Sequence, residues 1–173
     1  MSNPWLSIRL QDYEAHMGPD NAKQLSALSD LFKRALDICV PDSVAVLGIA
    51  GGYGLEHVNP AIIKRVVGFD INARYLDEVR RRFGTYPNLE LHCVDLSEGE
   101  LRVPLVALVH AALFFEHTGL GTVQRVLAAD ARNFCGVDEH KHGEDVESRV
   151  LRHPQTQRQD DLFRITPNCL RKG

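Results

Sequence analysis

Val44-Ala45-Val46-Leu47-Gly48-Ile49-Ala50-Gly51-Gly52-Tyr53-Gly54 is the stretch that decides the fold. Its first four residues form an unbroken apolar run, as in a strand buried on both faces of a parallel sheet. Glycines then take over, and such an exit lets the backbone turn tightly and approach a ligand with no side chain between. Working outward, Val66-Val67-Gly68-Phe69-Asp70-Ile71 is a second strand-like run. Asn72 can cap a helix expected over 73–83, and Gly84 stops it. A third strand is expected over 89–94, ending at Asp95, and a fourth over 105–113. A helix over 121–131 and a short fifth strand over 133–137 follow. Upstream, Leu25, Leu28, Leu31, Phe32, Ala35 and Leu36 share one helix face, with Asp20 or Asn21 as the cap and Pro41 at the end. Strands alternating with helices define an α/β protein with a Rossmann-like, doubly wound, mainly parallel sheet in three α/β/α layers. Such sheets bind ligands outside the carboxyl ends of their strands, at a topological switch point. Residues 48–54, Asp70, Asp95 and 111–117 are therefore the ones to read for function.

Composition narrows the classes further. A chain of 173 residues with 44% hydrophobic content can build one ordinary core without a staple. A net charge of −3 and a pI near 6.2 argue against a nucleic-acid clamp and against a polybasic membrane binder. The longest apolar stretch, 103–115, is too short to span a bilayer and contains His110. The N-terminal residues carry charges throughout and hold no secretory apolar region. Cys39, Cys93, Cys135 and Cys169 are scattered, without zinc spacing or a disulfide framework. The expectation is a reduced, cytoplasmic protein with no metal.

The glycine loop fits neither common phosphate motif. Starting a dinucleotide fingerprint at Gly52 and Gly54 puts His57 where a third small residue belongs. No glycine leads to the lysine that a Walker A loop needs. The loop instead resembles motif I of the class I S-adenosylmethionine-dependent methyltransferases, with Gly48, Ala50 and Gly52 on the glycine positions. Ala50 replaces the middle glycine, and Val46 stands where that family usually has an acid for the methionine end. The resemblance implies S-adenosyl-L-methionine as cofactor. It implies that Asp70, followed by Ile71, accepts the ribose hydroxyls, a task suited to a carboxylate with two oxygens. It implies that Asp95 meets the adenine amino group, that Leu96 offers backbone to the ring, and that Ala111 lies in the floor under the methyl donor. Each landmark also has a purely structural reading. The loop can be a tight turn, Asp70 a helix cap, Asp95 a helix N-terminus, and Phe114 and Phe115 core packing.

Methyl transfer from a sulfonium needs alignment more than acid–base chemistry. A base matters only when the acceptor must lose a proton, and Tyr13, His16, Glu116 and His117 are the candidates. No Asn-Pro-Pro-Tyr-type signature follows the fourth strand, which with the acidic balance favours a small-molecule acceptor. The competing reading is a non-catalytic, degenerate nucleoside-binding or interaction protein. His140 and His142 beside Asp138, Glu139, Glu144 and Asp145 read as a solvated loop, and Arg80-Arg81-Arg82 as a solvated helix face.

The organisation expected is an N-terminal helical lid over 1–42, a cofactor-binding core over 43–137, and a polar tail over 138–173, partly docked or mobile. The tail has few aliphatic runs, Leu162-Phe163-Arg164-Ile165 being the one strand-like fragment. The C-terminal β-hairpin of the family is therefore expected to be missing. The fifth strand is then a short exposed edge, through which a homodimer can form.

Overall fold

The computed structural model describes residues 3–17, 24–97, 103–112, 114, 133–139, 146–152 and 163–165. A 3₁₀ turn over Pro4–Leu6 leads to α1 (Leu10–Met17), α2 (Gln24–Cys39) and β1 (Ser43–Leu47). A second 3₁₀ turn (Leu55–His57) precedes β2 (Arg65–Asp70), α3 (Ala73–Phe83) and β3 (Leu89–Cys93). The remaining strands are β4 (Leu108–Ala112), β5 (Asn133–Glu139), β6 (Val146–Arg152) and β7 (Phe163–Ile165). They form one sheet in the order β3-β2-β1-β4-β5-β6-β7. The strands from β1 to β5 pair in parallel, with Leu47 between Phe69 and Ala111. The chain winds outward in both directions from β1, so the switch point lies between β1 and β4. This is the Rossmann-like α/β sheet that the apolar runs predict.

Both faces of the parallel strands are covered. Val44, Val46, Val66 and Leu108 share one cluster with Phe32, Ala35 and Leu36 of α2 and with Leu76 and Val79 of α3. Ala45, Leu47, Val67, Val109 and Ala111 pack on the other face with Leu96, Val106 and Phe114. The alternation follows from the period of two along each strand. Because α2 supplies Phe32 at 1% exposure, it is as much part of this core as any strand.

Two expectations change, and one connection departs from simple strand–helix alternation. The crossover from β1 to β2 contains one 3₁₀ turn and no α-helix. Gly48, Ala50, Gly52 and Gly54 all have positive φ, which a helix cannot accommodate. Leu55, Val58 and Ile63 cover the sheet from this loop instead. Of the expectations, β4 begins at Leu108 rather than 105, and Leu105 is exposed. Nor does the sheet end at β5. β6 pairs antiparallel along the whole of β5, from Asn133 opposite Arg152 to Glu139 opposite Val146, and β7 pairs antiparallel with β6. The missing hairpin, and with it the short exposed β5 edge for a homodimer, is thus corrected. A polar composition says nothing against a ladder whose bonds are all main-chain. β5 also runs through the expected core–tail boundary to Glu139. The expected caps Asp20 and Asn21, the helix over 121–131 and the loop over 140–145 lie outside the described residues.

One buried group makes the core acid-sensitive. His110 on β4 is 4% exposed, its ring centroid is 4.5 Å from that of Phe32, and Nδ1 has no hydrogen-bond partner among the described residues. Its strand neighbour Cys135 is equally enclosed, and burial pushes that thiol up to about 12. Burial lowers the His110 pKa to about 4, so the ring is neutral in the fold. A free histidine titrates near 6.5, so below that pH the unfolded chain binds a proton that the folded one refuses. The stability His110 permits is full above about pH 6.5 and is lost as pH falls towards 4, by roughly 3 kcal/mol. His110→Leu should remove this component. Urea unfolding at a series of pH values should show the variant gaining on the wild type by that amount as pH drops. A difference independent of pH between 7 and 4 would refute the assignment.

Candidate functional site

The loop after β1 is bent by alternating left-handed residues. Gly48 has φ of 68°, and the Phe114 ring lies 3.1 Å from where its Cβ would stand. Gly54 has φ of 90°, with Phe32 of α2 only 2.4 Å from a Cβ there. A side chain at either position would meet both a strained backbone and an occupied space. Hydrogen bonds fix the rest. Ile49 N donates to Phe69 O at 3.0 Å, and Gly54 N donates to Glu56 Oε2 at 2.8 Å. Ser29 of α2 donates to Glu56 Oε1 at 2.5 Å and contacts His57 Nε2 at 2.9 Å. Phe83 of α3 packs beside Gly52.

Asp70 ends β2 and reaches this loop. Its Oδ2 accepts from Ala50 N at 2.9 Å and its Oδ1 from Asn72 N at 2.8 Å. The residue is 8% exposed. Burial raises its pKa, and the amide bonds from Asn72, Ala50 and Ile71 oppose that rise. One strand over, Asp95 follows β3. Its Oδ1 accepts from the Ser97 amide at 2.9 Å and from the Ser97 hydroxyl. These Ser97 bonds lower its pKa. Oδ2 faces Asn3 Nδ2 at 3.5 Å. Leu96 is buried in the core beside it, and Ala111 is fully buried under the ends of β1 and β4.

The N-terminal segment closes over these strand ends. Asn72 caps α3 by accepting from Arg74 N, and its Nδ2 donates to Trp5 O at 2.8 Å and Ile8 O at 3.3 Å. Tyr75 donates to Ile8 O at 3.1 Å. The Tyr13 ring stands edge-on to Trp5, 6.0 Å between centroids, and 6.4 Å from Tyr75. Burial first, then the charges of Asp70 and Glu14, pushes Tyr13 up to about 12. Met17 and Tyr13 pack against Leu28 and Ala112, so α1 extends from Asp70 to the end of β4, across the switch point. Glu14 accepts from Tyr53 and from Arg82 at 2.7 Å, while Arg82 also donates to Gly51 O at 3.2 Å and to Glu78.

Of the residues read from the sequence, Gly48, Ala50, Gly52, Asp70, Ile71, Asp95 and Leu96 gather at the ends of β1 to β3, with Ala111 beneath. Tyr13 joins them, whereas His16 is exposed on α1. Glu116 and His117 lie outside the described residues. Asn72, Trp5, Glu14 and Arg82 were missed as site residues. Asn72 was read only as a cap, and Arg82 only as part of a solvated face. Arg80 and Arg81 do pair on the surface with Asp77 and Glu78, but Arg82 turns inward. The Glu78-to-Arg82 spacing was the one available signal.

No family model and no curated protein matches the chain in sequence. Among solved structures it is similar to the N-methyltransferase NodS from Bradyrhizobium japonicum WM9 in complex with S-adenosyl-L-homocysteine. The TM-score is 0.64 at 14% identity, covering 79% of this chain and 73% of that one. It is also similar to coclaurine N-methyltransferase bound to N-methylheliamine and S-adenosylhomocysteine, with TM-score 0.54, 17% identity, and 68% and 36% of the two chains covered. The 23S rRNA methyltransferase ErmE gives TM-score 0.51 at 14% identity, covering 66% of this chain and 46% of that one. The chain therefore has the fold of the methyltransferase class that its glycine loop resembles. No helix among the described residues is long and apolar enough to cross a membrane.

The middle position of the loop provides a local test. Ala50 has φ of 46°, in a region that disfavours a Cβ by about 1–2 kcal/mol. Glycine removes that strain but adds unfolded-state entropy worth about 0.5–1 kcal/mol. Ala50→Gly should therefore be stabilising by about 0.5–1 kcal/mol in a urea melt. A loss of stability would contradict the strained geometry.

Proposed function

We propose that this chain is an S-adenosylmethionine-dependent methyltransferase acting on a small-molecule acceptor. The observation that carries the reading is the Asp70 carboxylate at the end of β2. Its oxygens accept amide bonds from Ala50 and Asn72, the Ile71 amide also acts on the carboxylate, and of its roughly four acceptor positions some stay open. Two adjacent acceptors on a fixed carboxylate match the vicinal diol of a ribose. In this reading, Gly48, Ala50 and Gly52 let the backbone approach the cofactor, and Ile71 lines the ribose side. Asp95 receives the adenine amino group on Oδ2, with Leu96 backbone beside the ring and Ala111 in the floor. Residues 1–42 act as the lid, residues 43–137 as the binding core. Val46 provides no acid for the methionine end, and in this reading Tyr13 of α1, which feels the Asp70 charge, and Glu14, bonded to Tyr53 and Arg82 beside the glycine loop, take that task.

S-adenosylmethionine supplies a methyl group already activated by its sulfonium charge. The contribution of the chain is to align the acceptor and exclude water. Tyr13, held near 12, is a phenol at neutral pH and in this reading is available to donate a hydrogen bond rather than to remove a proton. Glu116 and His117 after β4 are the remaining candidates for a base. The NodS and coclaurine enzymes are N-methyltransferases and ErmE is an rRNA methyltransferase, so the fold alone does not choose the acceptor. The net charge of −3 supports a small molecule over RNA.

Isothermal titration with S-adenosylhomocysteine tests the reading, with NAD as the control ligand. The wild-type chain should bind the thioether and not NAD. Asp70→Asn keeps one oxygen for the loop but loses the charge. It should weaken binding by roughly 1.5–3 kcal/mol, about tenfold to a hundredfold, with the fold retained. Affinity within twofold of the wild type would show the ribose assignment to be wrong.

A further inference from the structure

Asn72 occupies a junction that its role as a helix cap does not require. A cap needs only the side-chain oxygen, which here accepts from Arg74 N at 3.1 Å. The amide nitrogen of the same side chain is spent on the N-terminal segment, donating to Trp5 O and Ile8 O at 2.8 and 3.3 Å. Its main-chain nitrogen meanwhile donates to Asp70 Oδ1 at 2.8 Å. One residue, 4% exposed, thus touches the start of α3, the carboxylate at the end of β2, and the chain that covers both. Trp5 lies within the 3₁₀ turn and Ile8 just beyond it, so the pair of bonds ties down both ends of residues 5–8. Tyr75, one turn further along α3, adds a single bond to Ile8 O.

We infer that Asn72 is a positioning residue that latches the N-terminal segment over the ends of β2 and β3, setting lid closure and the Asp70 carboxylate together. This rests on the reading of these strand ends as a nucleoside site. A side chain that only capped α3 would be replaceable by serine, which is an equally good cap. Serine keeps the acceptor for Arg74 N and leaves the main-chain bond to Asp70, but it is too short to bridge two carbonyls on another segment. Asn72→Ser therefore separates the latch from the cap.

Trp5 is the chain's one tryptophan and sits beside the bond being cut, so its fluorescence reports the lid directly. In Asn72→Ser, acrylamide quenching of Trp5 should rise severalfold and its emission should shift to the red, with the melting midpoint close to wild type. Affinity for S-adenosylhomocysteine should fall about tenfold. Quenching equal to wild type overturns the latch. A freed Trp5 with unchanged affinity overturns the coupling to the carboxylate. Should the wild-type chain bind no S-adenosylhomocysteine while Trp5 is freed in the variant, the nucleoside reading falls and the latch stands. If Asn72→Ser does not fold, Tyr75→Phe decides on the same two readouts. Removing its one bond should raise quenching about twofold, and no change would overturn the proposal.

Discussion

The carboxyl end of the sheet is organised by the Asp70 carboxylate, which is buried and bonded on both oxygens. A carboxylate taken out of water is costly unless charge-stabilising donors replace the water, and here main-chain amides do so from two directions. The donor on one side is Ala50, which can present its N–H only because the loop after β1 is bent into left-handed conformations. The donor on the other side is Asn72, whose side chain starts α3. The loop conformation, the end of β2 and the beginning of α3 therefore depend on one another.

The same bending explains why the β1–β2 connection has no α-helix. Four positive-φ residues within seven positions leave room for a single 3₁₀ turn before Pro60. The space is taken by α2, whose Phe32 lies against Gly54 and whose Ser29 reaches Glu56 and His57. With α2 drawn close to the loop, α1 is brought over the switch point, where Glu14 meets Tyr53 and Arg82. Trp5, Tyr13 and Tyr75 then form an aromatic group near Asp70, and the tyrosines' own burial, followed by the Asp70 charge, raises both tyrosine pKa values.

What the sequence revealed, it revealed through main-chain rules. Unbroken apolar runs located β1 and β2, and Asn72 located the start of α3, because burial and capping act on neighbours in sequence. Asp70 and Asp95 could be placed at strand ends for the same reason. Arg82 could not be, because its inward turn depends on Glu14, 68 residues away, and no local pattern encodes that. Asn72 was half legible: its cap is local, whereas its bonds to Trp5 and Ile8 cross more than sixty residues. His110 was visible only as a polar interruption of an apolar run. That burial would hold it neutral, with Nδ1 unpartnered among the described residues, depends on packing that includes Phe32 of α2.

The C-terminal strands show the limit of composition as a guide. Charge and a scarcity of aliphatics argued against a sheet beyond β5, yet a parallel sheet ending there would leave the outward main-chain groups of every second residue along β5 without strand partners. Antiparallel β6 meets that demand through main-chain bonds, for which every residue but proline carries both a donor and an acceptor. The sheet still has edges, at β3 and β7. At β3 the exposed residues Glu90 and His92 alternate with the half-buried Leu89 and Leu91, Cys93 at the strand's end is exposed as well, and Glu90 is held in a two-point pair with Arg65 of β2. A charged residue on an edge strand disfavours the addition of a further strand, because its charge would have to be desolvated in the new ladder. Among the described residues, the β3 edge thus carries a charge that works against strand addition.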